Sequence, residues 1–219
     1  MVIESSMSIR KVNLIIFALP CVLLLLFFSS WIGHNSLTDT MQNLPFFTVN
    51  KASAQETTWS NYTTDESTLS ITYPTDWEIV EDKKNDENQT NDIIVFLSPK
   101  ENTEDLFQEN IVVNILRPKN DLTINESINT QDIVQKLGIQ NEGFRFDNIS
   151  TIHIDSINKS AESIIYSFEN AGLLFKTKQV FLTINNNIYI FSLLAEQKEF
   201  DKYILIFDQM LMNVHLLSI

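Results

Sequence analysis

From Leu69 onward, hydrophobic positions alternate with polar ones along much of the chain, a pattern typical of β-strands. The residues from Leu69 to Tyr73 predict one strand, Pro74-Thr75-Asp76 a turn, and Trp77 the start of a second strand. Proline cannot donate a hydrogen bond to a sheet, which favours a bend or an edge at this position. Tyr73 and Trp77 are expected to pack at the corner.

Further apolar runs predict six more strands, at residues 93–97, 111–116, 149–155, 162–168, 173–184 and 188–195. The last run is almost wholly apolar, as expected for a central strand covered on both faces. Asn185-Asn186-Asn187 separates the last two runs. Asparagine tolerates left-handed backbone angles, so these residues predict a hairpin turn.

Two segments have helical character. The first begins at Asn129, a predicted N-cap, has Asp132 near its positive end, and is expected to stop at Gly138. The second covers residues 199–214, where apolar positions recur at helical spacing. Because most connections are too short for parallel crossovers, we expect an α+β fold with an antiparallel sheet flanked by helices.

The N-terminal part differs in character. Residues 14–32 are apolar over a length close to the ~20 residues that a membrane-spanning helix needs. Arg10 and Lys11 precede this segment, which predicts a cytoplasmic N-terminus and an extracytoplasmic remainder. The alternative is a signal segment with cleavage after Ala54, which would release a secreted protein. Cys21 is a poor lipidation site because Pro20 precedes it.

These patterns divide the chain into three parts. Residues 1–33 form a cytoplasmic tip and membrane anchor or signal segment, and residues 34–66 form a polar linker. Residues 67–219 form the folded domain.

Charge and cysteine content exclude several kinds of site. The net charge of −13 disfavours nucleic acid as a partner, because binding to phosphates requires clustered Lys and Arg. Cys21 is the only cysteine, so no disulfide forms within one chain. Metal ligands would have to come from His34, His153, His215 or carboxylates. The acidic loops at residues 81–88 and 101–105 could bind calcium, although they lack the spacing and central glycine of a calcium loop.

If the domain lies outside the cytoplasm, its asparagines are accessible to N-glycosylation. Five Asn-x-Ser/Thr sequons occur, at Asn61, Asn88, Asn125, Asn148 and Asn158. The high Asn, Ser and Thr content accounts for most of them, so they are candidates for modification only because of the predicted address.

No sequence motif for catalysis is evident. The chain has neither a Gly-x-Ser-x-Gly elbow nor a phosphate-binding loop, and its four glycines are not clustered. His153 is expected to face solvent between Ile152 and Ile154, without a nucleophile or an orienting acid. His215 is expected at the end of the last helix, in a structural role. No pair of carboxylates stands out for glycoside hydrolysis. No catalytic residue and no cofactor are therefore assigned.

The order of these elements resembles that of the PsbP-like family, whose namesake is an extrinsic subunit of photosystem II. The resemblance spans roughly residues 67–219. It rests on Ile71-Thr-Tyr-Pro-Thr-Asp-Trp77, Phe96-Leu-Ser-Pro99, Asp105-Leu-Phe-Gln-Glu-Asn-Ile-Val-Val113, the hairpin through Gln179 and Tyr189, and the closing helix with Phe200, Tyr203 and Met210. It implies an α/β/α sandwich and an accessory, assembly or binding role rather than catalysis. The membrane segment favours a member outside photosynthesis, and no metal-binding residue is carried over.

The sequence thus predicts a non-enzymatic, membrane-tethered domain outside the cytoplasm that binds a protein or envelope component. One alternative is a carrier that holds a small apolar ligand between sheet and helix, motivated by the 15 Phe residues. The other is a hydrolase, which would need a pocket containing a base with a shifted pKa.

Overall fold

The computed structural model describes residues 57–64, 69–85, 89–103, 105–119 and 129–216. Within these ranges the helices are α1 (Thr130–Gln140) and α2 (Phe200–Met212), and a 3-10 turn covers Asp155–Ile157. The strands are β1 (Trp59–Thr63), β2 (Leu69–Pro74), β3 (Glu78–Asn85), β4 (Gln89–Leu97), β5 (Asn110–Pro118), β6 (Arg145–Ile154), β7 (Lys159–Asn170), β8 (Leu173–Ile184), β9 (Asn187–Glu196) and β10 (His215–Leu216).

The strands form two antiparallel sheets. The large sheet has seven strands in the order β3-β4-β5-β9-β8-β7-β6. The small sheet has three strands in the order β1-β2-β10, with β2 in the middle. Every neighbouring pair is antiparallel, which confirms the prediction made from the short connections.

The two helices lie on opposite faces of the large sheet. Along β9, the side chains of Tyr189, Phe191 and Leu193 belong to a hydrophobic cluster that includes α2, while Ile188 and Ile190 belong to a second cluster that includes α1. We call these faces the α2 face and the α1 face. Since both sides of β9 are buried, the predicted central strand is confirmed, as is the α+β fold class.

The strand–turn–strand motif at Pro74 is confirmed, but its two strands join different sheets. β2 pairs with β1 and β10, whereas β3 pairs with β4. The Tyr73 ring lies 5.2 Å from that of Phe96, and the Trp77 ring lies 5.9 Å from that of Tyr203. The corner thus joins the small sheet to the α2 face of the large sheet.

The predicted start of α1 is confirmed, whereas its predicted end is wrong. The Asn129 side chain accepts hydrogen bonds from the backbone N–H groups of Gln131 and Asp132, as an N-cap does. The helix passes through Gly138 and ends at Gln140, with Asn141 as its C-cap. A Cβ atom at position 138 would lie 3.3 Å from the Phe144 ring, so the glycine allows this ring to pack closely against the helix.

The hairpin between β8 and β9 forms at the predicted asparagines. Asn185 and Asn186 have positive φ angles of 48° and 63°. Two consecutive residues in this region produce the turn whose twist matches that of the flanking strands.

Two short strands were not predicted. β1 lies within residues 34–66, which were interpreted as a linker, and β10 follows α2. His215 is therefore in a strand rather than at the end of a helix, and it pairs with Ser70 of β2. Both strands are too short to show a clear hydrophobic alternation. Each is formed by pairing with β2, a contact that the local sequence does not indicate.

The predicted membrane segment at residues 14–32 lies outside the described residues. Within the described part of the chain, no helix has the length and apolar character needed to cross a membrane.

Candidate functional site

The two described histidines lie in different sheets. His153 is in β6 and is half-exposed, as expected, and its Nε2 atom lies 3.5 Å from Asp155 Oδ1. His215 is exposed in β10, in the small sheet. His34 lies outside the described residues.

Three of the five sequons are described, and each has an exposed asparagine. Asn61 is in β1, Asn148 is in β6 beside a β-bulge, and Asn158 follows the 3-10 turn with a φ of 50°. Asn88 and Asn125 lie outside the described residues. Access to solvent therefore does not separate the three described candidates from one another.

Two described carboxylates of the acidic segments, those of Asp105 and Asp82, have partners within the protein. Asp105 accepts hydrogen bonds from the backbone N–H groups of Glu101 and Phe107, at 3.0 and 3.1 Å. Asp82, in β3, lies 3.5 Å from the Lys84 ammonium. No group of three His, Cys, Asp or Glu side chains suited to a metal occurs in the described ranges, which do not include Glu104 or residues 86–88.

A buried carboxyl group that no sequence pattern indicates lies just before β5. Only 2% of Glu109 is exposed. Burial raises the pKa of its carboxyl to about 7; a hydrogen bond with its own backbone opposes this, and the nearby Asp105, Glu196 and Glu101 add to it. Its backbone carbonyl also accepts a hydrogen bond from the Ser98 N–H, at 2.8 Å.

Two lysines lie beside the group of acidic side chains formed by Glu109, Asp105, Glu196 and Glu101. Lys202 Nζ donates hydrogen bonds to Glu101 Oε1 and, at 3.4 Å, to the Tyr203 hydroxyl. Although burial lowers the pKa of Lys202, these hydrogen bonds raise it to about 12. Lys198 pairs with Glu196 at 2.9 Å. This group of side chains therefore contains a carboxyl with a pKa near 7, that of Glu109, and two lysines paired with acids. Glu109 itself has almost no contact with solvent.

A cavity of about 150 Å³ lies elsewhere, between β1, β3 and β4. It does not include Glu109, and its lining is largely charged and hydroxylated, with Tyr62, Thr64, Glu81, Asp82, Lys83, Asp92, Ile93 and Ile94. Asp92 also accepts a hydrogen bond from Arg117. The volume of this cavity is well below the ~300–1,000 Å³ of typical small-ligand pockets. The aromatic rings instead pack on one another, as Phe107 and Phe168 do around Phe175.

The two edges of the large sheet differ in charge. β3, at one edge, has five charged side chains, at Glu78, Glu81, Asp82, Lys83 and Lys84. β6, at the other edge, has the sequence Ile149-Ser-Thr-Ile-His-Ile154 after its bulge, with no Asp, Glu, Lys or Arg. Among the described strands, β6 pairs only with β7.

Edge strands are usually protected by charged residues, proline or bulges, because their free backbone groups pair readily with other chains. β3 has this protection along most of its length. β6 has it only at its start, where Arg145, Asp147 and the bulge lie. Among the described residues, the segment Ile149–Ile154 is therefore an edge without this protection, and we call it the β6 edge.

Comparison with known proteins supports the resemblance found in the sequence. The model of the PsbP-like protein family matches residues 32–207. No match was found among curated proteins. A similar solved structure is cyanobacterial PsbP from Synechocystis sp. PCC 6803, with 15% identity, a TM-score of 0.51, and coverage of 77% of this chain and 98% of that one. Another is LpqN of Mycobacterium tuberculosis, involved in cell envelope biogenesis, with 13% identity, a TM-score of 0.46, and coverage of 75% and 93%.

Proposed function

Because this chain belongs to the PsbP-like protein family, we propose that it is a non-enzymatic accessory module that binds another protein. In this proposal, residues 14–32 anchor the chain in the cell membrane and the folded domain lies outside the cytoplasm. The β6 edge is the binding surface, and the partner contributes an extended segment that pairs with it.

The observation that carries the proposal is the uncharged run Ile149–Ile154, which among the described strands pairs with β7 on one side only. An edge strand offers a row of backbone N–H and C=O groups, and an extended peptide can add to it as a further strand. Backbone hydrogen bonds provide affinity in such complexes, and alternate side chains provide specificity. On β6, the exposed Thr151 and His153 lie on one face of the strand and would contact the partner's side chains.

The location of the shifted groups supports a role without covalent chemistry. A general base must come within hydrogen-bonding distance of the proton that it removes. Glu109, the described carboxyl with a pKa near 7, is buried and does not line the described cavity. His153 is accessible, and the charged group that the described part of the chain places near its ring nitrogen is Asp155, at 3.5 Å.

A glycan at Asn148 would be incompatible with strand pairing at the β6 edge. Asn148 immediately precedes the edge and is exposed. A glycan there would obstruct the approach of a partner strand, so the proposal requires Asn148 to be unmodified. Asn61 is in the small sheet, and its modification would leave the β6 edge free.

A charge placed on the β6 edge tests the proposal. We expect His153→Lys to reduce recovery of the partner from solubilised membranes at least tenfold, because lysine on an edge strand opposes pairing with a further strand. The measurement is quantitative mass spectrometry of proteins captured with the full-length chain, compared between wild type and variant.

Val80→Lys is the matched control. It adds the same charge to β3, at the other edge of the same sheet, where Val80 is also exposed. We expect Val80→Lys to retain the partner that His153→Lys loses. Equal recovery in both variants would show that the β6 edge is not the binding surface.

A further inference from the structure

The two faces of the large sheet differ beside the β6 edge. Ile152 and Ile154 are on the α2 face, where Ile154 is fully buried and Ile152 packs against the same hydrophobic cluster. Thr151 and His153 alternate with them, so they are on the α1 face, where both are exposed. A strand added to this edge would therefore continue an apolar surface on one face and a polar surface on the other.

Two carboxylates lie beside the exposed side chains on the α1 face. Thr151 Oγ1 donates a hydrogen bond to Glu162 Oε1 of β7, at 3.0 Å. His153 Nε2 lies 3.5 Å from Asp155 Oδ1, and the Asp155 side chain is 85% exposed. Each exposed side chain of the β6 edge on this face is thus accompanied by one acidic group.

These carboxylates have no basic partner among the described residues other than a histidine. Asp155 contacts His153 and Glu162 contacts a hydroxyl group, and no Lys or Arg in the described ranges forms an ion pair with either acid. Lys159, the next basic residue along the chain, is in β7 and shares the α2 face with Ala161. The α1 face beside the β6 edge is therefore negatively charged.

Strand pairing determines which residues of a partner would meet these charges. Residues directly opposite each other in neighbouring strands project to the same face, with Cβ atoms about 4.5–5.5 Å apart. A partner residue opposite Thr151 would lie beside the Glu162 carboxylate, which the hydrogen bond holds toward β6. A partner residue opposite His153 would lie beside Asp155. Both positions favour a cationic side chain, because opposite charges on neighbouring strands stabilise pairing and like charges oppose it.

The α2 face determines what lies between these cationic positions. A partner residue opposite Ile152 would be on this face, next to an isoleucine that is only partly buried. An apolar side chain there would extend the hydrophobic cluster and remove more apolar surface from water. Because side chains along a strand alternate between faces, one extended segment can meet both requirements.

We propose that the segment recognised by the β6 edge is an amphipathic strand, with Lys or Arg facing Glu162 and Asp155 and an apolar side chain facing Ile152. This inference rests on the proposed function, since it specifies the partner of the same edge. The charges contribute mainly to specificity, because they select basic segments and disfavour acidic ones. Backbone hydrogen bonds provide the affinity that all such segments share.

Three synthetic peptides that differ only in charge test this specificity. They alternate Val with Lys, Gln or Glu over the length of the β6 edge, and each is titrated into the full-length chain in a non-ionic detergent at low salt. In fluorescence anisotropy, we expect the Lys peptide to bind about tenfold more tightly than the Glu peptide, with the Gln peptide between them. Added salt should reduce this difference.

Removal of the two carboxylates locates the preference on the protein. The double variant of Glu162→Gln and Asp155→Asn should bind the Lys peptide about three- to tenfold more weakly than wild type. The matched control combines Glu169→Gln in β7 with Asp201→Asn in α2, which removes the same charge from exposed positions and should bind like wild type. Equal affinity of the two double variants would overturn the inference, because the Lys peptide would then respond only to the net charge of the chain.

The uncharged Gln peptide separates this inference from the proposed function. His153→Lys should abolish its binding, because lysine on an edge strand opposes pairing with a further strand. If wild type binds all three peptides equally and His153→Lys binds none, the inference is overturned and the proposed function stands. If no peptide binds wild type, or if His153→Lys binds the Gln peptide as wild type does, both are overturned.

Discussion

Glu109 couples the stability of the domain to pH through one buried carboxyl group. Its pKa in the folded protein is about 7, compared with an ordinary value of 4.5. Between these two values the folded state binds more protons than the unfolded state, so stability falls as pH rises through this range. The loss of stability that comes from ionising the buried carboxyl is absent well below pH 4.5 and complete well above pH 7.

Glu109→Gln should remove this dependence. We expect wild type to lose on the order of 1–3 kcal/mol of unfolding free energy relative to the variant when pH is raised from about 5 to 8. Urea denaturation at several pH values measures the difference. The exposed Glu142→Gln is the control and should follow wild type. If Glu109→Gln also follows wild type, the carboxyl does not titrate as described.

At the residue scale, the sequence shows which residue types are present but not which become buried together. Glu109 directly precedes a predicted strand and has no pattern that distinguishes it from the exposed acids nearby. The buried Asn114, Ser192 and Gln179 come from three neighbouring strands, β5, β9 and β8, and each one alone is an ordinary polar residue in an apolar run. Their common feature is strand register, which forms only on folding. Exposure of His153, in contrast, followed from simple alternation.

Helix α1 illustrates how far local signals determine an element. Asn129 satisfies two N–H groups at the start of the helix, so Asn129→Ala should lower the unfolding free energy by about 1 kcal/mol. Thermal denaturation followed by circular dichroism measures the change. Gln131→Ala, at an exposed position in the first turn, should have little effect. Equal stability of both variants would mean that the cap contributes nothing.

Elements set by local chemistry were predicted well, and those set by distant pairing were not. The N-cap at Asn129 and the turn at Asn185-Asn186 depend on neighbouring backbone atoms, so the sequence carries their signal. The separation of β2 from β3 into two sheets depends instead on contacts with β1, β10 and β4. The end of α1 was wrong for a similar reason, because Gly138 serves packing by Phe144 rather than helix termination.

For the whole molecule, Phe96 connects the two sheets. It is in β4 of the large sheet, fully buried, and its ring lies 5.8 Å from that of Tyr62 and 5.2 Å from that of Tyr73 in the small sheet. Phe96→Ala should destabilise the domain by about 3–5 kcal/mol, because a large cavity would form between the sheets. Leu205→Ala removes an exposed side chain from α2 and should be nearly neutral.

Urea denaturation of both Phe96→Ala and Leu205→Ala measures these differences. A loss below about 1 kcal/mol for Phe96→Ala would mean that the small sheet packs independently of the large one, since surface substitutions typically fall within ~0.5 kcal/mol.

The proposed activity depends on where the domain lies in the cell. N-glycosylation requires the domain to be outside the cytoplasm, and the proposal places the β6 edge and its partner there as well. The prediction comes from residues 1–33, whose basic and apolar segments are read with the positive-inside rule, and it concerns a part of the chain beyond the described residues.

Cysteine labelling in intact cells tests this location most directly. Cys21 is the only cysteine, so a Cys21→Ser background with Leu205→Cys places one thiol on the exposed surface of α2, at a position that is 70% exposed. We predict that a membrane-impermeant maleimide labels Leu205→Cys to the same extent before and after cell lysis. Labelling that occurs only after lysis would place the domain in the cytoplasm and contradict the account.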